Sequence, residues 1–255
     1  MLDLVDKTIL LTGASKGIGA ATAQALGAAG AHVIAHYGGD RAGAEAATAA
    51  IPAERKLLVQ ADLEKTADVD RLWREALAWR GHLDVFVNNA ALMLWDGGFD
   101  DDDETWDRTW ARTMQVNVLA PARLLRNAVR HYRQRGGGVI VTISSWAAQR
   151  GSSNPNTLAY AASKAAIRAA TQTIARGFAK DGILTYMIAP GVVRTRMSEE
   201  FAATQGGEQI VTAGLQMGEW VPPDDVANLV AFLATGTVRH LTGATLDVNG
   251  ATYVR

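Results

Sequence analysis

A short β-rich apolar run at residues 8–12 feeds straight into a turn with glycines at Gly13, Gly17 and Gly19. An alanine-rich stretch follows to about Ala29, and Gly30 stands where a glycine can close a helix. A strand that turns tightly through glycines and starts a helix at once fits the first βα unit of a parallel sheet. The free N–H groups and positive dipole end of such a helix suit a phosphate, and glycines let the backbone approach it closely. Gly13, Ser15, Lys16, Gly17, Ile18 and Gly19 are therefore candidate phosphate-binding positions.

The rest of the chain keeps the same rhythm. Further apolar runs stand at 32–36, 57–60, 83–87, 139–143, 183–188 and 245–248, making about seven strands. Helical stretches lie at 42–50, 67–79, 104–133, 158–179 and 224–234. The strands show little polar alternation, which suits parallel strands buried on both faces. The expected fold is α/β, a doubly wound parallel sheet of the Rossmann type with helices on both faces, spanning 1–255 as one domain. Residues 194–221 fit no regular element.

Gly13-Ala14-Ser15-Lys16-Gly17 also matches the G-x-S-x-G nucleophile elbow of α/β-hydrolases, with Asp225 and His240 in the right chain order. Only twelve residues precede Gly13, leaving no room for the strands and oxyanion loop such an enzyme places upstream. The hydrolase alternative is set aside on that ground.

Composition narrows the chemistry further. The chain has no cysteine, which excludes disulfides, thiolate metal sites and a cysteine nucleophile, and suits a reducing cytoplasm. A net charge of −1 disfavours nucleic acid or an anionic membrane as partner. No stretch reaches the ~20 apolar residues of a membrane helix. The five histidines are scattered, His32 and His36 falling in a strand-like run, so no metal site is expected.

Tyr160 and Lys164 are four residues apart at the start of a helical run, one turn apart on one face. A tyrosine with its ordinary pKa of about 10 is a poor base near neutrality. An adjacent ammonium favours the phenolate and lowers that value, which suits proton transfer at a carbinol oxygen.

With these motifs together, the chain resembles the short-chain dehydrogenase/reductase family, in particular its 3-oxoacyl-carrier-protein-reductase-like members. The likeness runs from Thr8 to Gly250. It rests on Thr12–Gly19, on Asp62-Leu63 after the third strand, on Asn88-Asn89-Ala90 after the fourth, and on Asn117 within Val116-Asn117-Val118. It also rests on Ser145 after the fifth strand, on Tyr160 and Lys164, and on Pro190-Gly191-Val192-Val193-Arg194-Thr195. The resemblance implies a nicotinamide-dependent oxidoreductase acting on a small-molecule carbonyl or secondary alcohol. Ser145 would stabilise the substrate oxygen, and Tyr160 would give or take the proton. Lys164 would lower the tyrosine pKa and hold the nicotinamide ribose. Asn117 would hold a water feeding the proton relay. Asp62, Leu63, Asn89, Ala90, Pro190, Gly191, Val193 and Thr195 would line the cofactor. The implied assembly is a homotetramer or homodimer. A catalytically silent dinucleotide-binding scaffold or redox sensor of the same fold is the alternative, and it would be expected to have lost part of the Ser–Tyr–Lys set.

Departures from the family pattern are few. Ala91 replaces the glycine of N-N-A-G, Asn249-Gly250-Ala251 replaces D-G-G, and Ser145 and Tyr160 are fifteen apart, implying a longer loop. The position where an acid would hold two free ribose hydroxyls falls at Tyr37, followed by Gly38-Gly39. With Lys16 and Arg41 as candidate partners of a 2′-phosphate, the sequence favours NADP. NAD is the alternative, and Asp40 is the residue that speaks for it. Met197, Phe201, Met217 and Trp220 within 194–221, together with Trp95 and Trp146, predict a lid over a largely apolar substrate pocket.

Overall fold

The computed structural model describes residues 2–254. In chain order the elements are β1 (Thr8–Leu11), α1 (Gly17–Ala28), β2 (His32–Tyr37), α2 (Arg41–Ala47), β3 (Lys56–Gln60), α3 (Thr66–Arg80) and β4 (Val85–Asn88). Then come α4 (Asp103–Met114), α5 (Ala120–Arg135), β5 (Gly138–Ile143), α6 (Ala147–Arg150), α7 (Leu158–Phe178) and β6 (Ile183–Pro190). The chain ends with α8 (Arg196–Thr204), α9 (Glu208–Ala213), α10 (Pro223–Ala234) and β7 (Thr245–Val248).

Seven strands form one sheet in the order β3-β2-β1-β4-β5-β6-β7, every pairing parallel. The strand order follows from which faces are apolar. Successive residues of a strand point to opposite faces. Leu11, Val33, Val87, Val141 and Ile188 pack beneath Leu26 of α1 and Val230 of α10. Leu10, Ile34, Phe86 and Ile140 pack beneath Leu72 of α3, Leu124 of α5 and Ile167 of α7. Both faces are thus covered, which is why the strand sequences lack polar alternation.

The chain winds from β1 outward to β3, then returns to place β4 on the other side of β1. The switch point therefore lies at the carboxyl ends of β1 and β4, where a crevice opens. The Gly13–Gly19 turn follows β1, Asn89-Ala90 follows β4, Ser144-Ser145 follows β5 and Gly191 follows β6. The topology alone brings four separated motifs to one edge.

The helix expected at 104–133 is instead two helices, α4 and α5, joined by a wider π-type turn at Gln115–Leu119. Pro121 supplies the reason. It has no N–H to give to the carbonyl four residues back, that of Asn117, so regular α-helical bonding fails there. The segment 194–221 is also more regular than its sequence suggested. It holds α8 and α9, and its ends are fastened by a parallel bridge between Val193 and Val221. The Val221 N–H donates to the Val192 carbonyl at 2.9 Å, and the Arg194 N–H donates to the Val221 carbonyl at 2.9 Å.

Candidate active site

The crevice at the carboxyl ends is a cleft of about 1070 Å³. Gly13, Ser15, Lys16, Gly17, Ile18 and Gly19 form one end of its wall, with Asn89 and Ala90 beside them. Ser145, Tyr160 and Lys164 line the same cleft, as do Pro190, Gly191, Val193 and Thr195, the last standing against Gly17. The cleft thus gathers most of the positions picked out from the sequence.

The glycine turn is held from three directions. The Asn89 side chain donates to the Thr12 carbonyl at 2.9 Å and to the Gly13 carbonyl at 3.0 Å. The N–H groups of Asn89 and Ala90 donate to the Thr12 hydroxyl at 3.0 and 3.2 Å. From β2, the Gly13 N–H donates to Nδ1 of His36 at 3.1 Å, while Nε2 of His36 donates to the Ala61 carbonyl at 3.0 Å. The turn is packed too tightly for larger residues. A Cβ on Gly19 would lie 1.8 Å from the Gly13 carbonyl oxygen, and one on Gly13, whose φ is +72°, would lie 2.9 Å from Cα of Ala90. No side chain caps the N-terminus of α1. An uncapped helix end facing a cleft through glycines fits the pyrophosphate of a dinucleotide.

His36 was not singled out as a site residue by the sequence, since its partners lie 23 and 25 positions away. Both ring nitrogens are engaged as in the neutral tautomer, and burial pushes its pKa down to about 4. The sign follows from the two states. Unfolded chains take up a proton below about 6.5, whereas the folded protein resists until about 4. Stability from this residue is full above that upper value and declines as pH falls towards the lower one. The two values imply a loss on the order of 3 kcal/mol. Urea unfolding of wild type and His36→Asn across this range checks it. The variant should lose much of the slope, and an unchanged slope would assign the acid sensitivity elsewhere.

Tyr160 lies near the start of α7 with Lys164 one turn on, as the spacing predicted. Ser145 stands beside the Tyr160 hydroxyl and favours its ionised form. Ser145 Oγ is fixed in turn by accepting the Ala147 N–H at 3.1 Å. Lys164 Nζ donates to the Ile143 carbonyl at 2.9 Å and stands 5.7 Å from the Tyr160 ring centre. The expected lowering of the tyrosine pKa by Lys164 is not what the protein alone displays. Burial pushes Tyr160 up to about 12, only partly opposed by the neighbouring Ser145, and burial pushes Lys164 down to about 8. Desolvation outweighs attraction here, so at neutrality the tyrosine keeps its proton and the lysine its charge.

Asn117 sits on the wider turn between α4 and α5. Its side chain is outside the cleft wall and is committed to protein groups. Oδ1 accepts the Leu92 N–H at 2.7 Å, and Nδ2 donates to the Leu92 carbonyl at 2.8 Å and to Ser163 Oγ at 3.0 Å. Ser163 Oγ donates to the Tyr160 carbonyl at 2.7 Å. Through these bonds the Asn117 side chain ties the segment after β4 to the helix carrying Tyr160. Its side-chain amide has no proton left for a relay water.

Three further expected contacts stand outside the cleft wall. Arg41 pairs with Glu45 one turn along α2 at 2.8 Å. Asp62 pairs with Lys65 at 3.1 Å, and Leu63 is buried in the core. Asp40, by contrast, does line the cleft. Its carboxylate accepts the Gly43 N–H at 2.9 Å and lies 3.4 Å from Lys16, contacts that hold its pKa below the usual value. Ser15 donates its hydroxyl to the Asp40 carbonyl at 2.9 Å, so it is a turn residue and not a hydrolase nucleophile.

Relatives match this site along its whole length. A family model described as enoyl-(acyl carrier protein) reductase matches residues 13–251. The chain is 35% identical to 3beta-hydroxysteroid dehydrogenase 1 of Eggerthella lenta, over 97% of this chain and 94% of that protein. A crystal structure of 3-ketoacyl-(acyl-carrier-protein) reductase from Brucella melitensis complexed with NADH aligns with a TM-score of 0.86 and 29% identity, covering 99% of this chain and 100% of that one. A Beutenbergia cavernae structure described as an NAD(P)-dependent gluconate 5-dehydrogenase, with bound NADP, aligns with a TM-score of 0.87 and 30% identity, covering 98% of each chain. Sheet order, glycine turn and these relatives agree: the chain belongs to the short-chain dehydrogenase/reductase family and is an NAD(P)-dependent oxidoreductase.

Proposed function

We propose that the protein reduces a ketone of apolar bulk to a secondary alcohol, and runs the reverse oxidation, with Tyr160 as the proton donor or acceptor. The observation that carries this reading is the Ser145–Tyr160–Lys164 set, Ser145 and Lys164 buried and Tyr160 half-buried, opening on the same cleft as the glycine turn. A bound reduced nicotinamide supplies the hydride. Lys16–Gly19 would hold its pyrophosphate, and Lys164 its nicotinamide ribose. Ser145 donates to the carbonyl oxygen and Tyr160 delivers the proton as negative charge develops there. The ammonium of Lys164 then favours the phenolate left behind.

NADP is the preferred coenzyme on this reading. Tyr37 occupies the place of the ribose-binding acid, a Cβ on Gly38 or Gly39 would meet nothing within 4 Å, and Lys16 extends 62% exposed beside this space. Arg41, paired with Glu45 as Lys16 is with Asp40, stands outside the cleft wall, so the preference rests on Lys16. NAD is the second reading, and the Asp40 carboxylate in the cleft wall favours it.

Residues 194–221 serve as the lid. Trp220 is buried and donates to Thr212 Oγ1 at 2.8 Å, giving the segment a small core with Val192 and Ala202. Trp95 lies 6.4 Å from the Phe201 ring and donates to Glu200 at 3.3 Å, bridging the segment to the strand ends opposite. Slower proteolysis of this segment in the presence of NADPH supports the lid, and an unchanged rate opposes it. Leu119 and Phe99 are 59% and 71% exposed, with Phe99 against Trp106, and they offer α4 and α5 as the face of a dimer or tetramer. Among the described residues no helix is long and apolar enough to cross a membrane. The cysteine-free composition suits the cytoplasm.

The pH profile of ketone reduction tests the proton assignment. The kcat should fall as pH rises through about 8, where Lys164 loses its charge, although Tyr160 keeps its proton to about 12. A kcat that stays level beyond pH ~10, the ordinary lysine range, would contradict the roles given to the pair.

A further inference from the structure

Six charged side chains line the cleft: Lys16, Asp40, Arg150, Lys164, Arg196 and Glu200. Four of them neutralise one another, Lys16 with Asp40 at 3.4 Å and Arg196 with Glu200 at 2.8 Å. Lys164 is committed to the Ile143 carbonyl. Arg150 is the exception. Its guanidinium lies 5.1 Å from the Trp146 ring centre and 5.8 Å from that of Tyr253, and it forms no ion pair or hydrogen bond with a described residue.

The platform beneath Arg150 is built, not incidental. Trp146 follows Ser145 directly, and its N–H donates to the Pro190 carbonyl at 3.1 Å. The Tyr253 backbone is held by Asn249, whose amide donates to the Tyr253 carbonyl at 3.0 Å. Aromatic faces hold a guanidinium flat while leaving its edge donors free, and that edge matches the two oxygens of a carboxylate, sulfate or phosphate. Around it the substrate end of the cleft is apolar, with Met197, Phe201, Ile210 and Leu215 in the wall. Among the described residues Arg150 meets no counter-charge, and its exposed edge is open to a group that brings one.

We infer that Arg150 anchors an anionic group on the substrate, so that the preferred substrates are apolar-bodied ketones or secondary alcohols bearing a carboxylate, sulfate or phosphate. The inference rests on the oxidoreductase reading above for what happens at Tyr160, but the anion site can be measured without turnover. Arg150 is exposed and belongs to neither the glycine turn nor the Ser145–Tyr160–Lys164 set, so its replacement should leave the fold and the reaction of neutral ketones intact.

The test uses two matched pairs, acetylnaphthoic acid and levulinic acid, each beside its methyl ester. Each is titrated calorimetrically into the NADPH-loaded protein. The acid of at least one pair should bind about tenfold tighter than its ester at low salt, the scale of one charge-assisted contact. The difference should shrink in about 0.5 M salt. Arg150→Gln should weaken the acid by about tenfold and leave the ester unchanged, with Arg150→Lys retaining part of the preference. Equal binding of acid and ester, equal weakening of both in Arg150→Gln, or binding of none of the four compounds overturns the inference. Selective binding of the acid with neither ketone reduced would leave the anion site standing and count against the proposed ketone reduction.

Discussion

Replacing Tyr160 with phenylalanine should lower kcat for ketone reduction by about 10²–10⁴-fold, the usual contribution of a positioned general acid. The affinity for reduced nicotinamide should change little, because the hydroxyl is turned to Ser145 and not to the glycine turn. Burial makes the expected effect large. With its pKa pushed up to about 12, the tyrosine holds a proton throughout the working range. Stopped-flow turnover with separately measured nucleotide binding distinguishes the outcomes. A variant that keeps more than about a tenth of wild-type kcat would remove Tyr160 from the proton path. A variant that loses nucleotide affinity by the same factor would make it a structural residue.

The second large effect lies at the other end of the cleft. Gly19→Ala should raise the nucleotide Kd at least about a hundredfold and lower the melting temperature by several degrees. The added Cβ would fall 1.8 Å from the Gly13 carbonyl oxygen and 2.7 Å from the Asn89 amide. Both neighbours belong to the bonded unit that holds the turn, so neither can yield without undoing the contacts of Asn89 to Thr12 and Gly13. Fluorescence titration and calorimetric melting check the two parts. Affinity within about threefold of wild type would mean that the turn relaxes freely, against the rigidity ascribed to it.

What the sequence disclosed and what it withheld divide along physical lines. The five inner strands were legible because burial on both faces leaves uninterrupted apolar runs, and the glycine turn was legible because its chemistry is local. Tyr160 and Lys164 share one turn of one helix, so their spacing sufficed. The break between α4 and α5 was readable in principle from Pro121, yet the strong apolar periodicity around it hid the wider turn at Asn117. The pairing of Arg41 with Glu45, four residues on, and of Asp62 with Lys65, three residues away, was within reach of the sequence, since one helical turn brings each pair alongside. His36 and Arg150 escaped for a different reason. His36 meets Gly13 and Ala61, distant in the chain, and Arg150, though Trp146 is four residues away, also meets the distant Tyr253. Only the folded sheet brings such groups together.

The central claim is that one cleft joins a dinucleotide-holding glycine turn to a proton-transferring tyrosine. The most direct measurement is a fluorescence titration of the protein with NADPH and, in parallel, NADH. Saturable one-to-one binding is expected, with NADPH in about the micromolar range and at least about tenfold tighter than NADH, since one phosphate contact to Lys16 is worth that much. Tighter binding of NADH would transfer the ribose site to Asp40 and leave the rest intact. Binding of neither nucleotide would contradict the account, leaving a Rossmann sheet whose cleft serves something else.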